Sequence, residues 1–310
     1  MLSLTSGTKI AVFEQDKEDK KAKKPEKFIY IKENDRKAIP EIDTNKEKKL
    51  EVFEEYCRRD KKLRSADIQT LIAAFKDGSA VSPKLERKYE DAVIFVEKSL
   101  KHYLDYDKGV ILHPIITQPT FRMFVSGLSG SGKSTYVAQI LKYNKFKHIF
   151  LMSPVLDDKA LKDIKPVPVR LDLSTYEKDF EAGPFQIEHL PPHSVVIMDD
   201  TDTADDSRLY HRAKVALLER GRHLEVSTII VSHNALGGNT KPAVTQLLEC
   251  EFYVIFPRSN RAHAEKLLKG YVGLNQEMSN LVLDSDSRSV MIKKSYPSYF
   301  IGEKTVGTLN

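Results

Sequence analysis

The sequence of 310 residues predicts an α/β protein, with a mostly parallel sheet covered by helices on both faces and a small helical region before it. Three observations predict this. From about residue 121, short continuous apolar runs of strand length recur: "FRMFVS" (121–126), "HIFLMSP" (148–154), "HSVVIMDD" (193–200), "VSTIIVSHN" (226–234) and "EFYVIFP" (251–257). Such runs mark strands buried on both faces. Helical patterns lie between several of them, including "SRLYHRAKVALLERG" (207–221) and "KPAVTQLLE" (241–249). Alternating strands and helices imply parallel strands joined by crossovers. Finally, "GLSGSGKST" (127–135) fits the phosphate-cradling pattern G-x-x-x-x-G-K-[ST], between the first apolar run and the helical "KSTYVAQILKYN". The fold expected over 111–310 is therefore that of a P-loop NTPase.

The elements follow in order. Residues 1–44 read as a charged, flexible arm, because "DKEDKKAKKPEKF" (16–28) mixes both signs of charge around a proline. A basic arm that touches DNA is the sharper alternative, weakened by the interleaved acids. Residues 45–110 read as helical. "NKEKKLEVFEEYCRRDKKL" repeats apolar residues at Leu50, Val52, Phe53 and Tyr56; "SADIQTLIAAFKDG" has a Ser and an Asp near its start and Gly78 past its end. "SPKLERKYEDAVIFVEKSLKHYL" opens with Pro83 in its first turn. After the apolar runs, "SVMIKKS" and "SYFIGE" read as two further strands pairing at a sheet edge.

The chemistry concentrates at the ends of the apolar runs. Gly127, Gly130 and Gly132 allow backbone conformations that point N–H groups at phosphate oxygens. Leu128, Ser129, Ser131 and Thr135 complete the loop, and the helix that follows adds its positive dipole end. Lys133 is expected at the β- and γ-phosphates of ATP, and the Ser134 hydroxyl on Mg²⁺. The run "VVIMDD" ends in Asp199, expected to contact the Mg²⁺ shell, and Asp200, expected to orient a water for attack on the γ-phosphate. The structural alternative makes these acids helix caps together with Asp202, Asp205 and Asp206. At the tip of "VSTIIVSHN", His233 and Asn234 are both candidates to sense the γ-phosphate; a helix-entry turn is the competing reading. Arg220 and Arg222 in "ERGRH" either complement a helix C-terminus or offer a cation to a neighbouring subunit.

This ordered set resembles the HerA–FtsK superfamily of ring-forming DNA translocases, and within it the genome-packaging ATPases of large eukaryotic DNA viruses and virophages. "FKHIFLMSPV", "GRHLEVSTIIVSHN" and "VMIKKSYPSYFIGE" carry the resemblance, which covers about 121–305. It implies that the "VSTIIVSHN" strand lies between the phosphate-loop strand and the "VVIMDD" strand. It also implies that Arg222 is an arginine finger reaching the next subunit's site. Many relatives carry Glu at the place of Asp200 and Gln at the place of His233. Double-stranded DNA, a homo-oligomeric ring and capsid proteins are the implied partners, and the host cytoplasm, the viral factory or the virion the implied location.

Composition bounds these readings. The net charge of +5 permits an anionic partner without demanding one. Cys57 and Cys250 are far apart and lack metal spacing, which points to a reducing compartment. No stretch approaches the roughly 18 apolar residues of a membrane span. A small-molecule or nucleoside kinase would need an arginine-rich lid, which the segment after the phosphate loop lacks. A guanine-specific switch would need N-K-x-D, also absent. An assembly protein that holds ATP without turnover is argued against by the paired acids. The DNA grip is expected in the central loops of the ring rather than in the 16–28 arm, so removing residues 1–40 is expected to leave DNA-stimulated turnover mostly intact.

Overall fold

The computed structural model describes residues 2–3, 6–15, 28–31, 46–60, 62–100, 103–105, 110–155, 159–173, 185–203, 207–233 and 241–309. In chain order the N-terminal part gives strands β1 (Leu2–Ser3), β2 (Thr8–Gln15) and β3 (Phe28–Ile31), then helices α1 (Lys46–Arg59), α2 (Ser65–Asp77) and α3 (Pro83–Leu100). Strands β4 (Tyr103–Asp105), β5 (Val110–Pro114) and β6 (Arg122–Ser126) lead into helix α4 (Lys133–Tyr143). Then come β7 (His148–Met152), β8 (Val169–Arg170), β9 (Ser194–Asp199), α5 (Ser207–Arg220), β10 (Val226–Ser232), α6 (Lys241–Glu249) and β11 (Phe252–Ile255). Helices α7 (Arg261–Leu267) and α8 (Gln276–Leu283) precede β12 (Val290–Lys293), β13 (Tyr299–Ile301) and β14 (Thr305–Thr308).

The large sheet has the order β4-β14-β13-β12-β11-β6-β10-β9-β7-β8. Its half from β11 to β8 is parallel, and the half from β12 to β4 is antiparallel. Strand β10 lies between β6 and β9, as the resemblance implies. All seven β10 residues are buried, which is why that segment reads as a mostly apolar run with only small hydroxyl residues among the aliphatic ones. Strands β12 and β13 pair as expected, but β14 and β4 extend the sheet beyond them. Both outermost strands are very short: three residues in β4 and two in β8.

The N-terminus departs from the expected arm. Strands β1, β2 and β3 form a second, antiparallel sheet with β5, in the order β1-β3-β2-β5. Leu2, Ile10, Ala11, Ile29 and Ile31 are each no more than 2% exposed and belong to the same apolar core as Met123, Val125, Val137 and Ile197. The physical reason is non-local. β2 pairs on one side with β3, close in sequence, and on the other with β5, about a hundred residues later. The charge run at 16–27 lies outside the described residues. The expected boundary at 110 is crossed in both directions, since β4 joins the large sheet and β5 the small one.

The three N-terminal helices follow the sequence reading. They enclose their own core of Phe53, Leu71, Ala92 and Val96, with Phe53 stacked on Phe75 at 4.2 Å between ring centroids. Gly78 ends α2 in the left-handed conformation at φ 74° and donates its N–H to the Ala74 carbonyl.

A polar cluster ties the small sheet to α4. Glu14 of β2 accepts the Tyr143 hydroxyl at 2.7 Å and faces His113 Nε2 of β5 at 2.6 Å. The His113 and Tyr143 rings stack at 4.1 Å. The Tyr143 hydrogen bond, helped by His113, holds the Glu14 carboxyl below the usual carboxylate range. Burial lowers the His113 imidazole below its ordinary value, against the pull of Glu14. Asn144, just past α4, accepts the Ile116 N–H at 2.7 Å, so the end of the helix is fixed to the chain leaving β5.

Candidate nucleotide-binding site

The parallel half of the sheet places the ends of β6, β9, β10 and β11 along one edge. The phosphate loop leaves β6 there. Gly130 and Gly132 have φ of 74° and 101°, a region costly for residues with a Cβ. Gly127 is required for a different reason: a Cβ there would meet Ser131 Oγ at 2.6 Å and Phe256 Cδ2 at 2.7 Å. Phe256, at the end of β11, is buried against the loop and makes an edge-to-face contact with Tyr136 of α4. It thus braces the loop from below, a role that its place at the end of an apolar run did not announce.

Lys133, the first residue of α4, is buried with its ammonium inside the loop. It donates to the Gly127 carbonyl at 3.0 Å and the Leu128 carbonyl at 3.2 Å, and meets His233 Nδ1 at 3.0 Å. Burial lowers its pKa below the usual lysine range, and the charges of Asp200 and Asp199 oppose that shift. Ser129, Gly130 and Thr135 face solvent and Ser134 is half-buried, so the mouth of the loop is open to a ligand.

Asp199 closes β9 and is buried; Asp200 follows at φ 49° and leaves the strand direction. The Asp200 N–H donates to the Val231 carbonyl of β10 at 3.1 Å, and its Oδ2 lies 2.6 Å from His233 Nε2. His233 thus stands between the loop lysine and the second acid. Asp202 is tied to α5 through side chains. Its carboxylate receives the buried Lys214 ammonium of α5 at 2.6 Å and faces His211. Burial works to raise the Asp202 carboxyl, but Lys214 and His211 together hold it below the usual range. Asp205, Asp206 and Asn234 lie outside the described residues.

The donor set suits a magnesium-bound nucleoside triphosphate. A hydroxyl and a buried carboxylate are the few protein ligands Mg²⁺ takes when phosphates and water supply the rest. The loop has the backbone shape of a phosphate cradle, and no group of three or more His, Cys, Asp or Glu among the described residues forms a separate metal cage.

Arg222 stands apart. It is exposed in the 3-10 turn Gly221–Leu224, immediately before β10, at the opposite edge of the sheet. The seven residues of β10 span about 23 Å at about 3.3 Å per residue, so Arg222 cannot reach the phosphate loop of its own chain. Arg220 pairs with Glu188 at 2.5 Å. A cavity of about 490 Å³ also lies at this opposite edge, beside Phe121, Tyr143, Lys145 and His193, away from the loop.

Residues 113–254 match the family model described as "Poxvirus A32 protein", a span that holds the loop, both acids, Arg222 and His233. The chain is also 30% identical over 196 residues to "Uncharacterized protein V3" of Sputnik virophage, covering 62% of this chain and 79% of that protein. The chain belongs to the poxvirus A32 protein family. This upholds the resemblance to viral genome-packaging ATPases read from the sequence. As an A32 family member it is further similar to two solved structures. One is the genome packaging NTPase B204 from Sulfolobus turreted icosahedral virus 2 in complex with ATP-gammaS, at 13% identity, 63% of this chain, 98% of that chain and TM-score 0.35. The other is the pCW3 conjugation coupling protein TcpA, at 14% identity, 67% and 65% coverage and TM-score 0.35. No helix among the described residues of this A32 family chain is long and apolar enough to cross a membrane.

Proposed function

We propose that this protein is a Mg²⁺-dependent ATPase that works as a homo-oligomeric ring and drives double-stranded DNA into viral capsids. The observation that carries the reading is the convergence of the phosphate loop, Asp199, Asp200 and His233 at one sheet edge, in a chain of the A32 family. Loop N–H groups and Lys133 hold the β- and γ-phosphates. Ser134 and Asp199 would hold Mg²⁺, which supplies charge neutralisation on the phosphate oxygens when bound. Asp200 orients a water for attack on the γ-phosphorus. The P–O bond to the β-phosphate breaks, ADP leaves, and the water's proton passes through the Asp200 carboxylate to solvent. His233 and Asn234 are the candidates that read the γ-phosphate. Arg222 reaches a neighbour's site across the ring and stabilises the charge of the transferred group.

The test is the ATPase rate of the full chain with and without long duplex DNA, beside Lys133→Ala. Turnover that rises with duplex length, and is abolished with nucleotide binding in Lys133→Ala, supports the motor. Turnover indifferent to DNA refutes translocation. Unchanged nucleotide affinity of Lys133→Ala in calorimetry refutes the loop as the site.

A further inference from the structure

We infer that His233 is a positioning residue that locks the phosphate-loop lysine and the Asp200 carboxylate together, and that a bound phosphate opens this lock. The inference rests on the reading of Lys133 as the phosphate-binding cation. An ammonium has three hydrogens and no acceptor. Lys133 has three protein acceptors within reach: the Gly127 carbonyl, the Leu128 carbonyl and His233 Nδ1, at 3.0, 3.2 and 3.0 Å. A phosphate oxygen therefore competes with protein groups for the same hydrogens.

The His233 partner has a further consequence. Since Lys133 can only donate, Nδ1 must be the accepting nitrogen of the ring. The hydrogen then sits on Nε2, which donates to Asp200 Oδ2 at 2.6 Å. One imidazole thus fixes the lysine through one nitrogen and the carboxylate through the other. The backbone puts it there. Ser232 of β10 pairs with Ser126 of β6, and Val231 with Asp199 of β9, so the next residue along β10 falls between the loop and Asp200. When a phosphate draws Lys133 away, Nδ1 loses its donor and the ring is free to turn. The hold on Asp200 loosens at the moment the site fills. Water-orienting geometry is thereby tied to occupancy.

The probe that isolates the lock is Mg·ADP, whose β-phosphate engages Lys133 without offering a γ-phosphate to His233. Calorimetry on the full chain should find that His233→Ala binds Mg·ADP about tenfold more tightly than the unaltered protein, the scale set by one hydrogen bond to a charged group. His233→Gln carries an acceptor and a donor on one amide and should restore the original affinity. His233 is 44% exposed at its side chain, so neither substitution disturbs a core. Independently, ¹⁵N spectra of the unsubstituted, nucleotide-free chain should show His233 as the Nε2–H tautomer, with the Nδ1 resonance shifting on addition of Mg·ADP. Unchanged or weaker ADP affinity in His233→Ala overturns the lock, as does a Nδ1–H tautomer. An unsubstituted protein that binds neither ADP nor a non-hydrolysable triphosphate overturns the phosphate-loop reading itself, and the lock with it.

Discussion

Removing residues 1–40 should cost the protein its fold. The deletion takes away Leu2, Ile10, Val12, Ile29 and Ile31, all at most 6% exposed. Each large aliphatic side chain contributes roughly 1.5–3 kcal/mol when buried, so together they supply on the order of 10 kcal/mol before the cost of ordering the strands. That is comparable with the whole stability of a typical domain, about 5–15 kcal/mol. The loss reaches further, because β5 loses its β2 partner along Val110–Pro114, and the buried His113 and the half-buried Tyr143 lose Glu14. The assay is thermal unfolding of the truncated and full chains, followed by ATPase turnover with duplex DNA. A single substitution gives a graded version: Ile29→Ala should cost about 2–5 kcal/mol and lower the melting temperature by roughly 5–10 °C. A truncated chain that melts with the full chain and keeps DNA-stimulated turnover would refute this reasoning and restore the dispensable arm expected from the charge run.

Asp200→Asn should bind Mg·ATP near normally and hydrolyse it far more slowly, whereas Asp199→Asn should raise the Mg²⁺ concentration needed for turnover; wild-type titrations in both would make these acids structural. Arg222→Ala should bind ATP and hydrolyse it about 10³-fold or more slowly. Partial activity should return when it is mixed with Lys133→Ala, and full activity of Arg222→Ala alone would remove it from the mechanism. Glu14 has a depressed folded-state pKa, so its contribution to stability is present above the ordinary carboxylate range and is lost as pH falls through the folded value. Glu14→Gln should therefore melt lower at neutral pH and lose part of the stability change on acidification; identical melting profiles across that range would show that the cluster with His113 and Tyr143 does not anchor the small sheet.

The core of the nucleotide domain was legible because strands β6, β7, β9, β10 and β11 are buried along most of their length, and such strands write themselves as predominantly apolar runs. The loop was legible because its backbone geometry demands glycines at fixed positions. Strands β1–β3 were not. The strand that closes their sheet, β5, lies about a hundred residues from β2, and strand preference depends on such partners more than on the segment itself. A charged stretch between β2 and β3 strengthened the wrong impression. Strands β4 and β8 are too short to leave a pattern, and β14, "TVGT", lacks an apolar run. In the site, Lys133 and His233 were each singled out, but they are separated by a hundred residues. That they share a hydrogen bond is a property of the sheet order, as is the support from Phe256. The tie between Lys214 and Asp202 had a weak signal, a lysine on the apolar face of a helix.

The brevity of β4 and β8 bears on how copies of this chain can meet. A long, unpaired outer strand offers another molecule a ladder of backbone donors and acceptors, and growth by that route has no natural stopping point. Here the large sheet presents two or three residues at either flank, too little for a continuous intermolecular sheet to take hold. In the proposed ring, contacts between copies along this sheet would then be made by side chains and loops, which can be broken and remade during turnover. A large sheet that is effectively finished at both sides would leave the subunits of such a ring able to shift against one another without tearing backbone pairing.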